Sequence, residues 1–190
     1  GRCNFIALPF FFIILNSMKI LKHLNKQVSV EYFFVKGFIE IDSDYFIKRI
    51  QEGFKDPNNM SYRTNVQDEM TPFHYFNNDP EFEKILNKFI DFIDNEYDLP
   101  TYTLCDSWGI KVGYRRWTSE HDHGGNVLSG VIYLNSHPQT LDFNQINEKV
   151  KPEKGSFALF SPFLKHKCEK SNSIEPKWGI SFNMSRVVNW

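Results

Sequence analysis

Cysteine is scarce in this 190-residue chain: Cys3, Cys105 and Cys168 are odd in number and far apart. Such a set makes no disulfide framework and fits thiols kept reduced, so a cytoplasmic location is expected. Charge of one sign is also lacking, since 22 basic and 23 acidic residues leave a formal net charge of −1. That balance gives no signal for nucleic acid or an anionic membrane surface, whose binders carry a basic face. Long apolar runs are missing too. Residues 5–15 are apolar but broken by Pro9, and a membrane span needs roughly 20 residues. Arg2 supplies the positive start of a signal peptide, yet no small-residue cleavage site follows. The reading adopted takes Met18 as the true start and residues 1–17 as an upstream extension outside the fold. Residues 18–190 then form one domain. Neither an internal repeat nor a low-complexity linker divides it.

Phenylalanine, in contrast, is abundant at 19 residues, which suits an aromatic-rich β core. Residues 28–41 are β-branched and aromatic and read as one or two short strands around Gly37. Asp42 or Ser43 can cap a helix with Phe46, Ile47 and Ile50 on its apolar side, stopped by Gly53. Residues 55–78 are polar, contain Pro57 and Pro72, and read as loop. The clearest helix covers 79–97, with Asp79 as N-cap and Pro80 in the first turn. Phe82, Ile85, Leu86, Phe89 and Ile93 recur at helical spacing, and Pro100 limits continuation. Beyond it come short strands at 102–112, 127–134, 141–143, 157–160, 166–168 and 178–184. The expected fold class is α+β, mainly β: a double-sheet jelly roll with N-terminal helices packed on one sheet.

The chemistry concentrates in the strand-rich half. His121 and His123 precede the apolar run 127–134, and His166 lies in a second apolar stretch. On a strand, positions 121 and 123 share a face while Asp122 points away. Three neutral imidazoles suit iron, copper, nickel or zinc and leave coordination positions open. Alternatively, the pair sits exposed in the Gly-rich turn 121–125 and binds nothing. Alternation also places Lys177, Gly179, Ser181 and Asn183 on one strand face, with Trp178, Ile180, Phe182 and Met184 on the other. Lys177 could grip a carboxylate as a point charge, or sit in solvent at a strand entrance. Cys168 shares the strand face of His166, as a ligand or as an inert buried thiol. Trp108, Tyr114 and Trp117 belong either to a substrate wall or to core packing. His23, His74 and His137 have no partners in sequence.

Two stretches carry a family likeness. His121-Asp-His-Gly-Gly-Asn-Val-Leu-Ser-Gly-Val-Ile-Tyr-Leu-Asn135, and Lys154-Gly-Ser-Phe-Ala-Leu-Phe-Ser-Pro-Phe-Leu-Lys-His166 followed by Ile-Ser-Phe-Asn183, resemble the 2-oxoglutarate- and Fe(II)-dependent oxygenases. The likeness is greatest to a small bacterial and phage branch, and Tyr-Leu-Asn135 also resembles prolyl hydroxylases. The resemblance covers about residues 108–184. It implies an enzyme with a double-stranded β-helix that hydroxylates a small-molecule or peptide substrate while converting 2-oxoglutarate to succinate and CO2. The implied cofactors are Fe(II), 2-oxoglutarate as cosubstrate and O2, with ascorbate as auxiliary reductant. His121 and His166 then match the first and distal iron ligands. His123 stands where most of the superfamily has Asp or Glu, a departure from the 2-His-1-carboxylate pattern; Asp122 is the alternative ligand, disfavoured by strand direction. Tyr133 and Lys177 match the pair that holds the far carboxylate of 2-oxoglutarate, and Ser181 can add a bond. Gly179 lacks a hydroxyl that many relatives place there. Two rivals are a cupin-type metalloprotein without 2-oxoglutarate and a non-catalytic jelly-roll binding module. Cupins place a Glu a few residues past His-x-His, where Val127 and Leu128 stand here.

Overall fold

The computed structural model describes residues 14–15, 18–27, 31–57, 59, 65–97, 102–125 and 128–186, with backbone alone as far as Glu31. In chain order the strands are β1 (Ile14–Leu15), β2 (Met18–Gln27), β3 (Glu31–Ile39), β4 (Glu69–Met70), β5 (Tyr102–Val112), β6 (Thr118–His121), β7 (Leu128–Tyr133), β8 (Leu141–Phe143), β9 (Glu148–Val150), β10 (Ser156–Phe160), β11 (His166–Cys168) and β12 (Lys177–Arg186). The helices are α1 (Ser43–Phe54) and α2 (Pro80–Glu96).

Both helices start on an aspartate. Asp42 Oδ1 accepts the Tyr45 N–H at 3.1 Å, and Asp79 Oδ1 accepts the N–H groups of Glu81 and Phe82, each at 3.1 Å. These bonds satisfy donors that the first helical turn leaves orphaned. The α2 stripe buries Phe82, Ile85, Leu86, Phe89, Phe92 and Ile93. Gly53 does not stop α1, which runs on through Phe54. Its role is contact: a Cβ there would stand 2.8 Å from the Thr71 methyl and the Tyr75 ring. Gly109 on β5 does the same for the sheet, since a Cβ would meet the Ile50 side chain at 2.3 Å.

The strands form two sheets, β1-β2-β3-β10-β7-β12-β5-β4 and β6-β11-β8-β9. All their pairings are antiparallel. Alternation divides the large sheet's side chains between two apolar layers. Ile132, Phe157, Leu159, Ile180 and Phe182 pack with the helices, where Phe89 stacks on Phe182 at 5.8 Å. Val131, Tyr133, Ala158 and Phe160 face the other way and join Leu141, Phe143 and Cys168 of the small sheet. The central strands are thus covered on both faces, which is why their sequences read as unbroken apolar runs.

Five strands escape the sequence reading: β1, β2, β6, β9 and β4, the last within the polar residues 55–78 that read as loop. β6 and β9 are short and polar, and β9 is held by its partners: Glu148 pairs with Lys36 at 3.0 Å, and Lys149 with Asp142 at 2.9 Å. β2 mixes apolar and basic residues without strict alternation, yet its backbone pairs with β3 along its length. Of the segment 1–17 set aside above, Ile14–Leu15 pairs with Met18–Lys19; its other residues, and Pro100, lie outside the described residues. Among the described residues, no helix is long and apolar enough to cross a membrane.

Candidate metal centre

β6 and β11 are neighbours in the small sheet, and their register sets His121 directly opposite His166. The two ring centroids lie 4.3 Å apart. His123 comes two residues past the end of β6, where its N–H donates to the Pro162 carbonyl at 2.8 Å. Its ring centroid lies 5.1 Å from those of both His121 and His166. One ring nitrogen from each histidine falls within 4.8 Å of the other two. Asp122 is exposed, and its Oδ1 accepts the Gly124 N–H at 3.3 Å. The third member of the cluster is therefore His123 rather than Asp122.

The tautomers follow from the partners. His121 Nδ1 contacts the Ser119 carbonyl at 2.8 Å and His166 Nδ1 the Leu164 carbonyl at 2.9 Å. A carbonyl only accepts, so each Nδ1 carries the proton and each Nε2 keeps its lone pair. His166 Nε2 lies 3.3 Å from His123 Nε2. Nitrogens about 2.1 Å from one metal ion stand about 3.0 Å apart at a right angle and about 3.4 Å apart in a tetrahedron. At this spacing the two nitrogens are reconciled by a metal ion between them or, without one, by a proton on His123 Nε2 donated to His166 Nε2. Burial, reinforced by the mutual repulsion of charged rings, lowers the pKa of His123 to about 4 and that of His166 to about 3. Burial lowers His121 as well, against its bond to Ser119. All three are neutral at pH 7, the protonation state that binds metals. The residues fit a divalent transition-metal ion.

Aromatic rings enclose the cluster. Phe143 and Phe160 stand 5.3 and 4.8 Å from the His166 ring, and Trp108 stacks against His123 at 6.3 Å. The same cavity is lined by Tyr133, Cys168, Lys177 and Ser181. Lys177 is 1% exposed, its Nζ bonded to Cys168 Sγ at 3.3 Å and lying 5.6 Å from the Tyr133 ring centre. Among the described residues it forms no ion pair. A thiol is a weak acceptor, so a buried ammonium held this way is a ready partner for an anion. Tyr133 is buried, which raises its pKa well above the usual phenol range, with Cys168 and Asp142 adding in the same direction. It remains a hydrogen-bond donor.

Several residues singled out in the sequence lie elsewhere. Tyr114 is exposed, and Trp117 packs under Lys170, whose Nζ is 5.1 Å from its ring. His137 bonds the Glu175 carbonyl and the Gln139 N–H, each at 3.1 Å. His74 bonds the Cys105 carbonyl at 3.0 Å; the His23 side chain is outside the described residues. Cys168 belongs with Lys177 and is not in the histidine cluster. What the sequence did not disclose is the side chain behind His123. Asn183 hydrogen-bonds that ring, and its only signal was sharing a strand face with Lys177 and Ser181.

Neither a family model nor a curated protein sequence matches the chain. Solved structures do. A viral collagen prolyl hydroxylase from Paramecium bursaria Chlorella virus-1, in complex with 2-oxoglutarate, superposes with a TM-score of 0.63 at 18% identity, covering 82% of this chain and 96% of that one. A Pseudomonas putida prolyl-4-hydroxylase gives 0.56 at 12% identity, over 82% and 93% of the two chains. The α-ketoglutarate-dependent carbocyclase SnoK of nogalamycin biosynthesis gives 0.61 at 10% identity, over 80% and 79%. With two antiparallel sheets enclosing a histidine cluster and helices on the outer face of the larger one, this chain has the double-stranded β-helix fold shared by those oxygenases.

Proposed function

We propose that this chain is a 2-oxoglutarate- and Fe(II)-dependent dioxygenase that hydroxylates a small-molecule or peptide substrate. The observation that carries the reading is a single cavity lined by three convergent neutral imidazoles and by a buried lysine that has no carboxylate partner among the described residues. His121, His123 and His166 would hold the metal through their inward nitrogens. Lys177 would receive the far carboxylate of 2-oxoglutarate, displacing its weak bond to Cys168, with the Tyr133 phenol and the Ser181 hydroxyl donating beside it. Phe143, Phe160 and Trp108 keep water from the reacting centre. Iron bound there supplies the oxidation, coupling decarboxylation of 2-oxoglutarate to insertion of one oxygen atom from O2 into a substrate C–H bond. No side-chain base is needed. Free thiols at Cys105 and Cys168 support a reducing, cytoplasmic setting.

The rival reading is a cupin-type enzyme that uses the same histidines without 2-oxoglutarate, although the Glu that cupins place past His-x-His is missing here, where Val127 and Leu128 stand. Anaerobically purified protein loaded with Fe(II), supplied with O2, ascorbate and [1-14C]2-oxoglutarate, separates the two. Release of 14CO2 with stoichiometric succinate, lost in His166→Ala, is the expected result. Bound iron with no turnover of 2-oxoglutarate, with or without a panel of candidate substrates, would favour the cupin reading.

A further inference from the structure

The wall that β5 gives to the cavity ends in a carboxylate. Val112, Ile110, Trp108 and Asp106 alternate on one face of β5, opposite Lys177, Gly179, Ser181 and Asn183 of β12 in register. Trp108, Ile110, Lys177 and Ser181 line the cavity. Gly109, between two of these positions, lies on the other face, against Ile50 of α1. Lys177 closes one end of the wall. Asp106 stands at the other, six residues or about 20 Å along the strand. Between them the Trp108 ring stacks on His123 at 6.3 Å.

Asp106 is half-buried, and its charge is unmatched. Asn183 Nδ2 donates to Oδ1 at 2.8 Å, and Asn183, 4% exposed, is itself held by Ser129 Oγ at 2.7 Å. Among the described residues Oδ2 has no hydrogen-bond partner, and no Lys, Arg or His forms an ion pair with the carboxylate. Drawing a carboxylate out of water with no cation beside it costs free energy. Burial accordingly raises the Asp106 pKa, against the bond from Asn183 and the field of His74. The next residue on the wall is unmet too: Trp108 is 7% exposed, and its indole N–H has no partner among the described residues. Phe73, exposed, packs edge-on against Trp108 at 5.0 Å. A carboxylate beside aromatic rings is the setting an organic cation prefers.

We infer that Asp106 is a substrate-recognition residue, and that the substrate carries an ammonium or guanidinium group with its oxidisable carbon nearer the histidines. The wall then has two ends of opposite charge. Lys177 takes the carboxylate of 2-oxoglutarate, and Asp106 takes the cation of the substrate. Trp108, between them, offers its N–H to an acceptor such as an amide carbonyl. The inference rests on the oxygenase reading above and names the substrate class for it.

Four small probes test it: Nα-acetyl-lysinamide and Nα-acetyl-argininamide, each against an uncharged counterpart, Nα-acetyl-norleucinamide and Nα-acetyl-citrullinamide. With Fe(II), O2 and [1-14C]2-oxoglutarate, at least one cationic probe should raise 14CO2 release about tenfold or more above its counterpart, and gain one oxygen atom by mass spectrometry. Asp106→Asn keeps an oxygen for Asn183 Nδ2 and removes only the charge. It should raise the KM of that probe about 10- to 100-fold, the effect of losing a charge-assisted hydrogen bond. Should this variant fail to fold, the wild type decides alone. The Asn183 side-chain NH2 signal, read by 1H–15N correlation in metal-free protein, should shift saturably with the cation and not with its counterpart. The inference is overturned if the counterparts act as well as the cations, if no cation either acts or shifts that signal, or if Asp106→Asn leaves KM within about twofold. A wild-type chain that takes up no Co(II) and decarboxylates no 2-oxoglutarate overturns the oxygenase reading instead, while the Asn183 signal still decides whether Asp106 binds a cation.

Discussion

Lys177 is the residue on which the difference between a metal site and an oxygenase site turns. A buried ammonium facing Cys168 Sγ at 3.3 Å is poorly satisfied by the protein alone. An incoming carboxylate gains a charge-assisted bond worth about 1.5–3 kcal/mol, so Lys177→Met should weaken 2-oxoglutarate binding about 10- to 100-fold. Co(II) affinity should stay within about twofold, because Lys177 is not among the metal-binding nitrogens; titrating each ligand by calorimetry checks the split. Equal loss of both would mean the substitution disturbed the fold rather than a carboxylate site. Strand alternation put Lys177 and Ser181 on one face in the sequence, whereas Tyr133 was singled out only by the family resemblance. The bonds of Asn183 to Ser129 and Asp106 were not legible there. They depend on which residues stand opposite across β7, β12 and β5, and register is set by three-dimensional pairing that no local pattern records.

At the scale of elements, α2 was readable almost to its ends because its N-cap, first-turn proline and apolar stripe agree. Asp79 does more than cap, since Oδ2 also accepts the Tyr45 hydroxyl at 2.8 Å and lies 3.4 Å from Arg49 Nε. Asp79→Ala therefore removes the cap and leaves the Tyr45 hydroxyl of α1 without its partner. The expected cost is about 1–3 kcal/mol, read as a lower urea midpoint at unchanged slope. Glu81→Gln, on the exposed side of the same turn, should cost under about 0.5 kcal/mol. The strands that escaped notice failed for the opposite reason. β6 and β9 are polar, and their apolar neighbours in space come from distant parts of the chain. β6 nonetheless carries His121, so the strand least visible by hydrophobicity supports the metal centre.

For the whole molecule, burying three neutral imidazoles ties stability to pH. Their folded pKa values lie below the unfolded value of about 6.5, near 4 for His123 and near 3 for His166, with His121 also lowered. Below pH 6.5 the unfolded chain therefore binds more protons than the folded one, and stability must fall as pH falls. Each histidine contributes a slope of up to about 1.4 kcal/mol per pH unit between its two pKa values and nothing above the unfolded one. Metal acts on the same groups in the opposite direction. At 100 times its Kd, an ion that binds only the folded state adds about 2.7 kcal/mol, and protons compete with it for the same nitrogens. Metal-free protein should accordingly show a Tm that is flat from pH 8 to 7 as far as these histidines are concerned, then drops between pH 6.5 and 5. Co(II) should raise Tm at pH 7.5, and the increment should shrink as the pH is lowered through that window. In His121→Ala/His123→Ala/His166→Ala protein both the acid drop and the Co(II) increment should largely disappear. Thermal melts across that pH range, with and without metal, check this, and an unchanged acid drop in the triple variant would assign it to other groups.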